Sequence, residues 1–359
     1  MNETTFIFRV DSSLEIGTGH LIRCLALAGY LLELNSEVVF ICRDHQGSCH
    51  GMIEEQNFKL HLLHGKEKKI VSKNPADWLG CSQLQDALES SEIISKYPKA
   101  HVIVDHYSLD YLWETNIKCD SITVIDDLAN RSHKCNLLID QSLKNTRSDY
   151  EDLINNNFGF VGGNNLILRE EFIEANDWQG PGSKKVFLCM GGIDPFNHTE
   201  LILKSIINSH NNSLDNEKLS EINVIVGNSF NKNLEENHFI KESKLKIKIC
   251  KSPKRISKFM LQSDLCVLSC GTMILEACAL GVPSLGIVLA ENQKKTADFL
   301  KMTGAIELHD VKNYQYPTIY SSIVSLLGNY QKLSDFSKKQ KQIVSKSSKQ
   351  TILKNIYER

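Results

Sequence analysis

Val10-Asp11-Ser12-Ser13-Leu14-Glu15-Ile16-Gly17-Thr18-Gly19-His20-Leu21-Ile22-Arg23-Cys24 is the stretch from which the fold is read. Before it, Phe6-Ile7-Phe8-Arg9-Val10 has the continuous apolar character of a short buried strand. After it, Leu21, Ile22, Leu25, Leu27, Ala28 and Leu32 recur near helical spacing. The stretch is therefore a strand–loop–helix turn, with Gly17 and Gly19 where the backbone must bend or approach a ligand. His20 falls at the start of the helix, among backbone N–H groups that no earlier turn satisfies. A neutral, positioned imidazole there is a candidate general base. A lone histidine at a helix start can equally do no more than pack or cap.

Working outward, the first half alternates strand and helix. Residues 37–42, 58–63, 101–105, 121–127 and 136–140 read as strands, with a helix within 78–96. Three strands end in aspartate, at Asp105, Asp127 and Asp140; the last two read best as loop or helix caps. A polar segment, Asn176-Asp177-Trp178-Gln179-Gly180-Pro181-Gly182-Ser183, has the composition of a linker. The alternation then restarts, with strands at 185–190, 221–226, 245–250, 264–269 and 284–288, the last clear one, and helices at 256–263 and 273–280. We expect an α/β chain of two Rossmann-like βα domains facing a cleft, with residues 1–180 and 181–334. A basic amphipathic helix over 335–359 follows, with Phe336, Ile343, Ile352, Leu353 and Ile356 as its apolar stripe. Beyond these two halves of one architectural type there is no internal repeat.

Composition narrows the function. A formal charge of −2 over 359 residues gives no electrostatic case for nucleic acid or an anionic membrane. No apolar run is long enough to span a bilayer. The 11 cysteines follow no framework and several sit in apolar runs, as reduced cytosolic thiols do, so a cytoplasmic protein is expected. His45, Cys49 and His50 are close in sequence but lack a partner cluster, so no metal site is expected.

Sites in open α/β sheets gather at strand C-termini. Glycine turns from strand to helix present backbone N–H groups that suit phosphate. Three are present, at Gly17–Gly19, Gly191–Gly192 and Cys270-Gly271-Thr272, and none is a dinucleotide fingerprint or Walker loop. Together they favour a phosphorylated or nucleotide ligand. Glu276, one turn into the helix after Gly271, can accept bonds from a ribose diol, or can be an acid placed favourably near the helix dipole. Asn292, in Glu291-Asn292-Gln293, would sit at the cleft rim, where its amide can orient a substrate or water, or be an ordinary loop asparagine.

An ordered set of motifs carries a resemblance over roughly residues 5 to 305. Asp11-Ser12-Ser13 through Gly17-Thr18-Gly19-His20 and Arg23 resembles the opening of the UDP-2,4-diacetamido-2,4,6-trideoxy-β-L-altropyranose hydrolases of pseudaminic acid biosynthesis. Val104-Asp105-His106-Tyr107, Ile125-Asp126-Asp127, Leu168-Arg169-Glu170-Glu171-Phe172, Cys189-Met190-Gly191-Gly192-Ile193-Asp194 and Glu291-Asn292-Gln293 resemble the family's later segments, in order. That family is similar to the GT-B glycosyltransferases, including the lipid II-forming N-acetylglucosaminyltransferase, but uses water as acceptor. The resemblance implies a GT-B-like fold, UDP on the C-terminal domain, and attack of water on the anomeric carbon with inversion, without metal or cofactor. It implies His20 as base, with Tyr107 and Asn292 near the sugar or water. Asp11, Gly17, Gly19, Arg23, Arg169, Gly191, Gly192, Gly271, Thr272, Glu276 and Gln293 are the expected substrate-binding residues. Gly271 departs from the pattern, standing as in the transferases where the hydrolases often carry serines. The expected partner is the UDP-sugar alone, with the protein a monomer. The alternatives are a GT-B transferase with a UDP-sugar donor and a non-catalytic nucleotide-sugar-binding subunit.

Overall fold

The computed structural model describes all residues except 1–3, 66–73, 155–156, 214–218, 228–229, 231–232, 310–315 and 317. The chain divides into two compact units, Met1–Glu170 with Ser347–Arg359, and Glu171–Lys346.

The first unit runs β1 (Thr5–Val10), α1 (Gly19–Leu32), β2 (Glu37–Arg43), α2 (Gly51–Glu55), β3 (Lys59–Leu63), α3 (Gln83–Ile94), β4 (Ala100–Asp105), α4 (Tyr111–Asn116), β5 (Ser121–Asp126), β6 (Leu137–Asp140) and β7 (Gly159–Val161). Its seven strands pair in parallel in the order β3-β2-β1-β4-β5-β6-β7. Every residue of β1, β4 and β5 is buried, as helices on both faces of a parallel sheet require. Ile7, Val39, Val102, Val104, Trp113 and Tyr150 lie in the core of one face. The chain leaves β1 toward β2 and returns to pair β4 on β1's other side. The order thus reverses between β1 and β4, where such sheets open a crevice at their C-terminal edge.

α5 (Glu170–Ile173) leads into the second unit. There follow β8 (Lys185–Cys189), α6 (His198–Asn211), β9 (Glu221–Val226), α7 (His238–Lys241), β10 (Lys246–Lys251), α8 (Ile256–Leu261), β11 (Leu265–Ser269), α9 (Thr272–Leu280), β12 (Ser284–Ile287), α10 (Glu291–Met302), β13 (Glu307–His309), α11 (Ile319–Leu327) and α12 (Tyr330–Ile343). Six parallel strands order as β10-β9-β8-β11-β12-β13, and the reversal lies between β8 and β11. Gly281 ends α9 at φ 69°, donating to the Cys278 carbonyl while Val282 donates to Ala277. That glycine cap turns the chain sharply into β12.

Three expectations shift. The division falls between Glu170 and Glu171, and Trp178 belongs to the second unit, where its backbone N–H and its indole donate to Leu280 and Ser263. The stretch 335–359 is not one helix. Val344 is extended, so α12 stops and α13 (Ser348–Tyr357) begins anew in the first unit. Ile352 and Ile356 are buried there, and Lys349 of the basic face is tied to Glu33 and Glu170. β12 is followed by one more strand, β13, too short for alternation to reveal it.

Candidate functional site

In the first unit the loop from β1 to α1 is built by Ser13. Its hydroxyl accepts the N–H groups of Glu15 and Ile16 at 3.1 Å each, and its carbonyl accepts that of Gly17 at 2.9 Å. Gly17 turns at φ 79°, a left-handed geometry that costs a glycine nothing. Gly19 then opens α1, whose cap residue Thr18 makes no side-chain capping bond, and His20 is carried to its first turn.

His20 meets the end of the neighbouring strand. Its Nδ1 lies 2.6 Å from Oδ1 of Asp105, the last residue of β4. Arg23, one turn along α1, donates from Nε to Asp105 Oδ2 and from Nη2 to Oδ1, both at 2.6 Å, and from Nη1 to Asp127 at 2.9 Å. Tyr107 donates its hydroxyl to the other Asp127 oxygen at 2.7 Å, and its ring stands edge-on to His20 at 4.5 Å. Burial alone would raise the Asp105 pKa, but the Arg23 guanidinium and then His20 outweigh it and hold the carboxyl well below its usual range. An ionised carboxylate only accepts. The shared proton is therefore on Nδ1 of His20, and in the neutral ring Nε2 is the nitrogen that carries the lone pair.

The sequence placed His20, Arg23 and Tyr107 here but missed two members. In the sequence Asp105 is a strand-end aspartate within the Val104-Asp105-His106-Tyr107 motif with no role assigned, and Asp127 reads as a loop or helix cap. Asp127 instead binds Arg23 and Tyr107, because β5 ends beside β4 and turns its side chain toward α1. Asp140 does act as a loop cap, accepting the Ser142 N–H at 2.8 Å.

Asp11 is buried and fully engaged. Arg9 donates to its two oxygens at 2.5 and 3.0 Å, the Arg43 N–H at 2.7 Å, and Nε2 of His45 and His106 lie 3.3 and 3.2 Å away. Burial raises its pKa, yet Arg9 and then the two histidines hold it well below the usual carboxylate range. Asp86 of α3 joins Arg9 to Arg43, so Asp11 sits in a buried ionic network beneath the loop. His45, Cys49 and His50 do not converge: His45 faces Asp11, the Cys49 N–H donates to Ser12, and His50 bonds Ser48. Among the described residues no group of three or more His, Cys, Asp or Glu side chains is placed to hold a metal ion. Arg169 stands half-buried after β7, next to Leu168, whose N–H and carbonyl both bond the Tyr30 hydroxyl.

In the second unit the glycine turns sit side by side at the β8–β11 reversal. Gly191 has φ 111°, and a Cβ there would lie 3.9 Å from the Ser269 hydroxyl. A Cβ on Gly227, which follows β9, would lie 1.9 Å from the Gly192 carbonyl, so that close approach needs glycine. Gly227 escaped the sequence reading because it stands outside any glycine-rich motif. The two helix starts differ. Asp194 accepts the N–H groups of His198 and Thr199 at 2.8 and 2.7 Å and so closes the start of α6 with a protein carboxylate. α9 begins at Gly271 and Thr272 with no side-chain cap and no acid in its first turn. Its unsatisfied N–H groups and positive dipole end suit a ligand phosphate. Gln293 anchors its amide oxygen on the Leu289 N–H at 2.9 Å, and its amide nitrogen lies 3.9 Å from the Cβ position of Gly271. Asn292 lies exposed in the first turn of α10, not in a loop. Glu276 lies one turn into α9 and is 4% exposed.

No family model matches the chain. It is 26% identical over 302 residues to the UDP-2,4-diacetamido-2,4,6-trideoxy-β-L-altropyranose hydrolase of Campylobacter jejuni, covering 83% of this chain and 96% of that one. It is 28% identical over 318 residues to an uncharacterised protein of Methanocaldococcus jannaschii, covering 84% of this chain and 59% of the archaeal one. Among solved structures it resembles MurG of Acinetobacter baumannii, with a TM-score of 0.66, 13% identity, and 99% and 100% of the two chains covered. LpCGTa in complex with UDP aligns with a TM-score of 0.65 at 12% identity, covering 99% of each chain. The spinosyn rhamnosyltransferase SpnG, complexed with thymidine diphosphate, aligns at 0.61 and 13%, covering 98% of this chain and 100% of that one. The fold is GT-B-like, and the resemblance carried by the motifs is to a UDP-sugar hydrolase.

Proposed function

We propose that this chain hydrolyses a UDP-linked 2,4-diacetamido-2,4,6-trideoxy-hexose at the anomeric C–O bond, releasing UDP and the free sugar with inversion. The observation that carries this reading is the 2.6 Å contact between His20 Nδ1 and the ionised Asp105. It leaves Nε2 as the basic atom on an oriented ring, ready to take a proton from water as the water attacks carbon. The first unit supplies the base, and the second holds the nucleotide. UDP leaves toward the open start of α9, where backbone N–H groups and the dipole stabilise the developing diphosphate charge. Glu276 holds the ribose, and Tyr107, Asn292 and Gln293 position sugar and water. Asp105 and Asp127 are each engaged with Arg23 rather than free to act as a nucleophile, which supports a single displacement with inversion. UDP is a good leaving group, so the step needs no metal. The similarity to the C. jejuni hydrolase supports the substrate class.

In this reading the protein works in the cytoplasm as a monomer, in nonulosonate synthesis of the pseudaminic acid type, for cell-surface glycans. Among the described residues no helix is long and apolar enough to cross a membrane. Gly271 and the glycosyltransferase neighbours favour a second reading, transfer from a UDP-sugar to another acceptor. A turnover screen of UDP-linked diacetamido-trideoxy-hexoses separates the readings. Free sugar and UDP in equal amounts, without added acceptor, are expected. Release only when an acceptor is supplied would favour the transferase. Tight UDP binding without turnover would favour a non-catalytic binding subunit.

A further inference from the structure

β5 and β6 end on a second buried polar group that the proposed reaction does not use. Tyr150 is fully buried, and its hydroxyl lies 2.6 Å from Asp140 Oδ2 and 3.0 Å from Asp126 Oδ2. That hydroxyl has one proton to give. With both carboxylates ionised, one of these contacts would set lone pair against lone pair in a water-poor interior, where an unmet polar pair is costly.

The other partners decide which acid holds the extra proton. Asp126 is paired with Arg131 at 2.6 Å and accepts the N–H groups of Leu128 and Ala129 at 3.2 and 2.9 Å. Asp140 meets only neutral donors: the Ser142 N–H and hydroxyl at 2.8 and 2.6 Å, and the Asn145 amide at 2.8 Å. Among the described residues it has no ion-pair partner. The segment after β6 contributes Tyr150 as its titratable group, and β5 with its following loop contributes Asp126 and Arg131, with His133 acting on Asp126 from beyond. Gly162, in the turn after β7, comes close as well: an added Cβ there would lie 3.3 Å from the Asp140 Cβ.

We propose that Asp140 is a neutral carboxylic acid at neutral pH, donating from Oδ2 to Tyr150, which in turn donates to the ionised Asp126. The relay is a positioning device. It fixes the chain neighbour of Asp127, and Asn145 also reaches the Asp127 carbonyl at 3.4 Å. It further holds the loop in which Leu143 adopts φ 66°, a conformation a leucine seldom takes, with Ser142 accepting the N–H groups of Lys144 and Asn145. Burial pushes the Asp140 pKa up despite its hydrogen bonds, whereas at Asp126 burial is outweighed by Arg131 and the pKa falls.

The sign of the linkage is set by that raised pKa. The stability it lends is complete below the unfolded carboxyl pKa and is lost as pH rises through the folded one. Infrared difference spectra at pH 7 between the wild type and Asp140→Asn should contain the carbonyl band of a protonated carboxylic acid, present in the wild type only. A difference spectrum without that band overturns the proposal. Asp140→Asn keeps a donor toward Tyr150 but sets its amide nitrogen against that of Asn145, so its melting temperature at pH 7 should fall less than that of Asp140→Ala, which loses several degrees. Between pH 7 and pH 9 the wild type should lose more melting temperature than Asp140→Asn. Equal losses in Asn and Ala at pH 7 would refute the relay. Should Asp140→Asn not fold, a carboxyl ¹³C resonance in the wild type titrating above pH 7 supports the proposal, and none doing so overturns it. The positioning of Asp127 rests on the proposed hydrolysis and is read from turnover in Asp140→Ala. The spectroscopic arms are independent of that reading.

Discussion

Asp105→Asn is the perturbation on which the site chemistry turns. Three donors converge on this carboxylate: Arg23 Nε on Oδ2, and Arg23 Nη2 and His20 Nδ1 on Oδ1, each at 2.6 Å. An amide keeps one oxygen and replaces the other with NH₂. At the Oδ2 position the NH₂ opposes Arg23 Nε–H, donor against donor. At the Oδ1 position it opposes Arg23 Nη2–H and also donates to His20 Nδ1, which forces the proton onto Nε2 and removes the base. The geometry leaves no orientation that satisfies all three. Loss of an oriented base costs roughly 10²–10⁴-fold in kcat, or about 2.7–5.4 kcal/mol of barrier. UDP affinity should hold, because the groups proposed to bind the nucleotide belong to the other unit. Stability should fall too: breaking a buried ion pair costs about 3–5 kcal/mol, and the lower part of that range applies because Asp127 still holds Arg23 at 2.9 Å. The folded Asp105 pKa is depressed, so its contribution is present above the unfolded carboxyl pKa and is lost as pH falls. The assay is steady-state UDP release beside UDP calorimetry and melting from pH 7 downward. A kcat within tenfold of wild type would refute the role assigned to Asp105, as would a stability deficit that does not shrink in acid.

Other outcomes follow from the same geometry. His20→Ala should bind UDP normally and lose roughly 10²–10⁴-fold in kcat, measured by UDP release; near-normal turnover would remove it as the base. Glu276→Ala should raise the UDP dissociation constant more than it lowers kcat at saturation, whereas unchanged calorimetry would make Glu276 a buried structural acid. Gly227→Ala places a methyl 1.9 Å from the Gly192 carbonyl, so the turn must move and UDP binding weaken; unaltered affinity would show that the turn does not bear on the nucleotide. Activity should survive EDTA, and loss restored by Mg²⁺ or Mn²⁺ would point instead to metal-assisted attack at phosphorus.

Much of the fold is legible because parallel strands buried on both faces appear as unbroken apolar runs. Phe6 to Val10 and Leu265 to Ser269 are read within a residue or two of their observed limits. Short or edge elements are not legible. β7 and β13 are too brief to form a pattern, and α13 docks on the first unit through Ile352 and Ile356, a long-range contact that local periodicity does not encode. At the site, His20 stands out because a glycine turn leads into it, and Arg23 because it belongs to the motif that carries the resemblance. Asp105 and Asp127 do not, since an aspartate after a strand looks the same whether it caps a loop or holds a guanidinium from another helix. Strand order distinguishes the two cases, and strand order is a property of the sheet. The closed start of α6 likewise depends on where Asp194 turns its side chain.

In the proposed reaction water attacks the sugar carbon and UDP departs intact. Turnover in ¹⁸O-labelled water tests it most directly, with early anomer analysis by NMR. Label is expected on the anomeric hydroxyl of the free sugar and none on UDP, with a nascent anomer opposite to that of the substrate. Label in UDP, or sugar 1-phosphate with UMP as products, would contradict it.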